Sequence, residues 1–473
     1  MMIKKVLLFN PPSSFSIYKR SSIKASVPIL PSMSLAMVAG SLVAEGVDVR
    51  IVDLALLNSS QVKDCIRRET SQFKPDMAGT TATTPLFYEA SMISDEVKGV
   101  SKEITTILGG PHASSLPIES LNKSSFDIVV VGEGEEAVKH IARGAEAGTI
   151  QGVYVKDEKN GNSCDTSCPK SREIPIDELP FPALHLFDSK RYACPLVIAR
   201  NNPVGPIEMS RGCVFNCSFC NKTVHGRKFK VKSPGRIIDE LRILKKLGYR
   251  EFHVLDDQLT TDIDKAKAIC EEIIRNEINM TWNLRTGVRV DTIDREFLDL
   301  AKRAGCYQVG IGFESGSQEQ LDAVGKGIKL EQALNAARMI RRSGIEMVGF
   351  FMLGLPGESV SSMDETIRFA IRLNPDFAKA TILVPFPGTR IYDEFEQKGL
   401  IKTRDWSRYN FHNAYNIYNH PTLDWDTMKR YYDLFHRRFY FRMGYLARRL
   451  WKSLLQGRVF VDLYYAYQTF FEK

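Results

Sequence analysis

The sequence predicts an α/β protein: a doubly wound parallel sheet, then a partial (β/α)6 TIM-like barrel, then a helical C-terminal region. Three observations lead there. The chain has 473 residues, more than one ordinary core encloses, so two or three domains are expected. Strand-like and helix-like stretches alternate for most of its length, the pattern of parallel sheets with crossover helices. The strand-like runs also keep ending in small or acidic residues, where open parallel sheets bind ligands.

Residues 1–150 form the first unit. An apolar run from Val6 to Phe9 stops at Asn10-Pro11-Pro12. The stretch from Ser34 to Glu45 reads as a helix stopped by Gly46. Val47 to Val52 alternates as a strand and ends at Asp53. Met77-Ala78-Gly79 runs into Thr80 to Thr84, Ile104 to Leu108 into Gly109-Gly110-Pro111-His112, and Ile128 to Val131 into Gly132-Glu133-Gly134-Glu135. This is the pattern of a Rossmann-like or flavodoxin-like sheet. Glycine at strand ends lets a backbone approach a ligand closely. The same glycines suit plain tight turns, and pattern alone leaves the two readings even.

Residues 151–200 are rich in turn formers, including Asn160-Gly161-Asn162-Ser163, and read as a connector with room for a hairpin. Cys164 and Cys168 lie here without a third ligand nearby and are read as incidental. Residues 201–400 carry the second series, with strands expected near Ile207, Phe252, Thr281, Val309, Val348 and Ile382. Ser233-Pro234 starts a helix, Gly248 stops it, and Ile237, Leu241, Leu244 and Leu247 give it a buried stripe. Catalysis in such a barrel sits at the carboxyl ends of the strands. Residues 401–473 read as helical, basic and aromatic. The favoured reading is a helix packed on its own protein with Arg437, Arg438, Arg442, Arg448, Arg449 and Lys452 snorkelling outward. Peripheral contact with a membrane is the alternative. Trp406, Tyr409, His412, Tyr415 and Tyr418 are read as packing, with an aromatic pocket floor as the alternative.

A formal net charge of +8 is mild for this length and requires no polyanionic partner. No signal-peptide core follows the start, and no apolar run is long enough to span a bilayer. A reducing cytoplasmic setting is therefore expected, where clustered cysteines mean metal or catalysis more often than disulfides.

Three of the nine cysteines fall within eight residues, in Gly212-Cys213-Val214-Phe215-Asn216-Cys217-Ser218-Phe219-Cys220. Thiolates are soft ligands for iron–sulfur clusters and zinc. A structural zinc site needs a fourth ligand, for which His225 is the nearest candidate. A cubane cluster held by three cysteines leaves one iron open to a small molecule. The CxxxCxxC spacing after a strand favours the cluster.

This spacing, with Phe219 before the last cysteine, resembles the signature of the radical S-adenosylmethionine (SAM) superfamily. The resemblance implies a 4Fe-4S cluster on Cys213, Cys217 and Cys220. It implies SAM chelated at the open iron and cleaved reductively to a 5′-deoxyadenosyl radical. Leu255-Asp256-Asp257-Gln258, Val288-Arg289-Val290-Asp291 and Gly312-Phe313-Glu314-Ser315 resemble later strand-end motifs. They assign Asp257 to the SAM amino group, Arg289 to its carboxylate and Glu314 to its ribose. Gly354 to Glu358 and Pro385 to Thr389 end the fifth and sixth strands as in the same relatives.

A doubly wound domain ahead of the cysteine loop resembles the cobalamin-binding branch, including class B methyltransferases and the anaerobic magnesium-protoporphyrin IX monomethyl ester cyclase. It implies cobalamin between residues 1–150 and the barrel mouth. The small-residue loops at Thr81 and Thr83, at Gly109 and Gly110, and at Gly132 and Glu133 would bind it. No DxHxxG segment is present, so cobalt without histidine ligation is expected, His112 included. The implied activity is methylation of an unactivated carbon of a small-molecule, lipid or secondary-metabolite substrate. Cobalamin-assisted oxidation or cyclisation is the alternative, and a non-catalytic iron–sulfur or zinc module the second. A reducing donor such as flavodoxin or ferredoxin is implied, and no nucleic acid.

Overall fold

The computed structural model describes residues 2–13, 27–156, 174–286, 288–411 and 414–470. Cys164, Cys168, the Asn160 to Ser163 run and His412 lie outside these residues.

The first sheet contains β1 (Lys5–Asn10), β2 (Asp48–Asp53), β3 (Met77–Thr81), β4 (Thr105–Gly109), β5 (Ile128–Val130) and β6 (Val153–Val155), in the order β2-β1-β3-β4-β5-β6. Five strands are parallel, and β6 joins antiparallel, just past residue 150. Period-two alternation explains the two covered faces. Val6 and Leu8 pack with Leu35, Ala39 and Val138 on one side. Leu7 and Phe9 pack with Ile66, Ile93 and Val97 on the other. The chain reverses its winding between β1 and β3, which opens a crevice at their carboxyl ends.

The second sheet contains β7 (Val204–Ile207), β10 (Glu251–Val254), β11 (Thr281–Leu284), β12 (Cys306–Glu314), β13 (Glu346–Leu353) and β14 (Phe377–Ile382). All six are parallel and lie in chain order. Between β7 and β10 a small antiparallel pair, β8 (Ser210–Arg211) and β9 (Lys230–Val231), brackets the cysteine loop. Right-handed crossovers stepping always the same way put every helix on one face. Outward residues such as Phe252, Trp282, Val309 and Phe351 pack there with Leu241, Phe297 and Ile340. The other face lines a lumen. Its floor is the segment 194–200, where the Ile198 carbonyl accepts from Asn283 Nδ2 and from the Tyr307 hydroxyl.

The sheet's free edge at β14 is managed by helix Trp425–Tyr440. The Tyr440 hydroxyl bonds both the N–H and the carbonyl of Ala378, and His436 Nε2 accepts from Ala380 N–H. An edge covered in this way offers no template for another strand.

The C-terminal helices reverse part of one expectation. Arg437 and Arg438 stay exposed as expected, but Arg442, Arg448, Arg449 and Lys452 turn inward. Arg448 donates to the carbonyls of Asn374 and Pro375, Arg449 pairs with Asp462, and Lys452 pairs with Asp376 and Glu346. The carboxyl-end carbonyls of helix Val360–Leu373 and the acidic groups beside them draw these cations inward. Trp406, Tyr409 and Tyr418 are fully buried with Phe395 and Trp425. They pack the region after the barrel, while Tyr415 stays exposed.

Candidate functional site

The carboxyl ends of the two sheets face one another across a cavity of about 590 Å³. Thr81, Thr83, Gly109, Gly110, Gly132 and Glu133 line it from the first sheet. Cys213, Cys220, Asn221, Lys222, His225 and Asp257 line it from the second. It continues inward between the sheet and helix Met33–Ala44, past Leu8, Gly79, Ile107, Leu42 and Val138. An apolar slot beneath a polar mouth suits a ligand whose apolar part enters the slot while polar groups meet the mouth. Gly110 makes the mouth possible. Its φ is 95°, and a Cβ there would lie 2.3 Å from Thr81 Oγ1.

The cysteine loop is held from both ends. Gly212, at φ 78°, lies so close to the Lys228 carbonyl that a Cβ would sit 2.2 Å from it. The Gly212 N–H donates to Asp257 Oδ2 at 2.9 Å. Lys222 Nζ donates to the Cys213 carbonyl, Ser218 N–H to the Val324 carbonyl, and Ile391 N–H to the Ser218 carbonyl. Asn221 Nδ2 bridges the Ser115 hydroxyl, in the short helix Pro111–Ser115 after β4, and the Pro387 carbonyl. Asp256, fully buried, accepts from Met209 N–H at 2.7 Å and from the Ser210 hydroxyl at 2.6 Å. Burial pushes its carboxyl up to about 7. The two aspartates after β10 thus fix the loop, a role the sequence did not reveal.

Near Cys217 the structure gathers three charges, Lys326, Glu314 and Arg289. Glu314, at φ 61°, accepts from Lys326 Nζ at 2.8 Å. Arg289 grips Asp291 with two bonds and lies 3.6 Å over the Phe215 ring. Its Nη1 is buried with no hydrogen-bond partner among the described residues. An orphaned guanidinium nitrogen beside the loop fits a carboxylate. Lys326 and Phe215 were missed from sequence; Gly325-Lys326-Gly327 is the signal that marks the lysine. Burial, together with the mutual repulsion of the thiolates, pushes Cys220 up to about 11. A cationic metal centre held there would relieve that repulsion. Among the described residues no three His, Cys, Asp or Glu side chains are already closed around a metal-ion position.

Arg211 joins the two sheets. It is 2% exposed and pairs with Glu135 at 2.5 Å, Glu208 at 2.6 Å and Glu133 at 3.5 Å. Glu133 also holds His225 and Lys230. Its carboxyl stands at about 2, because the His225 bond and the Arg211 and Lys230 charges outweigh burial. His112 is turned away from the cavity. It packs against Phe87 and Trp406, and burial lowers its ring to about 4.

Comparisons with known proteins agree with this geometry. Residues 207–370 match the radical SAM superfamily and residues 23–142 the B12 binding domain. An uncharacterized methyltransferase of Pyrococcus horikoshii is 32% identical over 417 residues, covering 86% of this chain and 87% of its own. The anaerobic magnesium-protoporphyrin IX monomethyl ester cyclase of Rubrivivax gelatinosus is 30% identical, covering 80% and 69%. Among solved structures, the cobalamin-dependent SAM radical enzyme OxsB with aqua-cobalamin superposes with a TM-score of 0.71 at 16% identity, covering 99% of this chain and 72% of its own. The radical SAM methyltransferase TsrM of Kitasatospora setae, with cobalamin and a 4Fe-4S cluster, gives 0.69 at 20%, covering 84% and 75%. The fold and site define a cobalamin-dependent radical SAM enzyme. This chain belongs to the B12-binding branch of the radical SAM superfamily, and its cofactors are a 4Fe-4S cluster, SAM and cobalamin.

Proposed function

We propose that this enzyme methylates an unactivated carbon of a small-molecule substrate. One observation carries the reading: the strand ends of the B12-binding sheet and two of the three loop thiols line a single cavity. Curated relatives named as methyltransferases, the Pyrococcus horikoshii protein among them, support methylation over cyclisation. In this reading residues 1–150 hold cobalamin, 201–400 form the radical SAM barrel, and 401–473 cover it after the 151–200 connector.

When bound, the cluster supplies the electron that cleaves SAM, and cobalamin carries the methyl group. The remaining work is the protein's. Cys213, Cys217 and Cys220 would hold the cluster, with Asp257 and Lys222 fixing the loop. Arg289, oriented by Asp291 and Phe215, would receive the SAM carboxylate, and Glu314 its ribose. Thr81, Thr83, Gly109, Gly110, Gly132 and Glu133 would border cobalamin. A reducing protein such as flavodoxin or ferredoxin would supply the electron. Anaerobic reconstitution with methyl-labelled SAM tests the reading. Label should enter product carbon along with 5′-deoxyadenosine. Product that gains no carbon would turn the reading to the cyclase alternative, and no 5′-deoxyadenosine would end it.

A second reading concerns where the enzyme works. Helix Met443–Leu455 turns Arg448 and Arg449 inward and, with helix Val459–Phe470, leaves an apolar face outward, with Trp451 64%, Leu455 71% and Phe460 88% exposed. Seven Lys or Arg and one Asp lie between Arg437 and Phe470, in a chain of net charge +8. Aromatic and aliphatic side chains in a positive field suit an anionic bilayer surface. No helix among the described residues is long and apolar enough to cross a membrane. The holoenzyme should float with phosphatidylglycerol vesicles, and Trp451→Glu with Phe460→Glu should abolish this. Self-association of the wild type without flotation would assign the face to a second copy instead.

A further inference from the structure

Strand alternation divides the barrel's residues into two sets. On β13 and β14, Met347, Phe351, Ala378 and Ala380 are sealed against the helices. Phe350, Met352, Lys379 and Thr381 face the lumen and keep accessible surface. Lys379 pairs in register with Phe350, and Phe350 with Gly312. Arg285 follows Leu284, which pairs with Val309 next to Gly310. Gly310 and Gly312 add no side chain of their own: the Arg285 carbonyl and the Phe350 ring pack over Gly310, and the Glu314–Lys326 pair lies over Gly312.

Among the described residues, Glu251, Glu346 and Glu314 on these strands are each engaged by a cation or a donor. Glu251 accepts from Tyr307 at 2.6 Å, from the backbone N–H groups of Arg200 and Asn201, and bonds His253. Glu346 pairs with Arg200 and Lys452, and Glu314 with Lys326. The side chains of Lys379 and Arg285 make no hydrogen bond or ion pair among the described residues. The charge acting most on Lys379 is Arg285, of the same sign; burial and that repulsion lower its ammonium to about 7. His253 and His436 nearby are themselves held below the ordinary histidine value, first by burial, and add no counter-charge. Two enclosed like charges are costly unless something of opposite charge completes them, and apolar side chains of similar size would fill the space more cheaply. Arg289, not this pair, is the guanidinium acting on Cys217.

We propose that Lys379 and Arg285 form the receptor for an oxyanion of the substrate, a carboxylate or a phosphate, inside the barrel. This rests on the methyltransferase reading and narrows its substrate to acidic small molecules. A fork-shaped guanidinium beside a point-charge ammonium suits either oxyanion.

The test uses reconstituted holoenzyme and follows reductive dimethylation of Lys379 by formaldehyde and cyanoborohydride, read by peptide mass spectrometry. Exposed Lys398 serves as the internal control. Phosphate and acetate are the two probes, with chloride at equal ionic strength as reference. At least one oxyanion should slow modification at Lys379 by roughly tenfold or more and leave Lys398 unchanged. The more protective probe names the oxyanion. Arg285→Met should remove the protection and Arg285→Lys keep part of it. No protection by either probe, protection that survives Arg285→Met, or protection by SAM alone would overturn the proposal. Formation of 5′-deoxyadenosine in the same preparation reads the parent function separately, so the two failures are distinguishable.

Discussion

The two sheets are built from the same parts and do different things with them. Each has six strands, and each faces the cavity with its carboxyl edge. The first winds both ways from β1, so its crevice lies in the middle of the sheet and its slot runs beneath helix Met33–Ala44. The second winds one way, so it has no switch point and encloses a lumen instead. Strand order, rather than strand composition, decides whether a parallel sheet offers a crevice or an interior. The enzyme uses one of each, and Arg211 joins them through carboxylates from both sides.

Lesions on the two sides should therefore separate. The largest effect is expected from Cys217→Ala, which should reduce 5′-deoxyadenosine formation to background and remove the cluster's visible absorbance. Arg211→Met should cost about 3–5 kcal/mol, since three buried or half-buried carboxylates lose their shared cation. A drop in the guanidinium midpoint would show it. That network also sets an acid limit. Glu133 falls from 4.5 to about 2 on folding, so its contribution is present above pH 4.5 and is lost as pH falls toward 2. In Arg211→Met the folded value should rise, and the stability lost over that interval should shrink.

Gly110→Val strikes the first sheet alone, where the side chain meets Thr81 Oγ1 and the Ala82 backbone. Cobalamin retention and methyl transfer should fall while SAM cleavage survives. Gly212→Ala is the barrel's counterpart, with strain of about 1–3 kcal/mol at a positive φ. It should lower iron content and take both activities down together. If Gly110→Val also stopped SAM cleavage, the two sides would not be separable. The smallest effect is expected from Tyr440→Phe, which leaves the Ala378 backbone on the β14 edge without its cap, at about 0.5–1.5 kcal/mol in thermal unfolding.

Much of this architecture was legible in the residues. Short apolar runs ending at Asn10, Asp53, Thr80, Gly109 and Gly132 located the parallel strands of the first sheet, because a strand covered on both faces must be apolar and must end where a turn is permitted. The Ser233-Pro234 start gave helix Pro234–Lys246, whose Ser233 side chain does cap it. The cysteine spacing announced itself because three thiols within eight residues at CxxxCxxC spacing have few uses besides holding a metal or cluster. Asp257, Arg289 and Glu314 were singled out from the sequence, but not the neighbours that hold them. Asp257 holds Gly212, Arg289 holds Asp291, and Glu314 holds Lys326.

The order of local elements, the cysteine loop and its class of chemistry were determined by the sequence itself, because caps, periodicity and ligand spacing act over a few residues. The winding of each sheet, the meeting of Arg211 with Glu133 and Glu135, the inward turn of Arg448 and Arg449, and the facing of Lys379 with Arg285 were decided by tertiary structure. Those depend on which distant strand lies beside which, and an electrostatic partner dozens of residues away leaves no local mark on the chain.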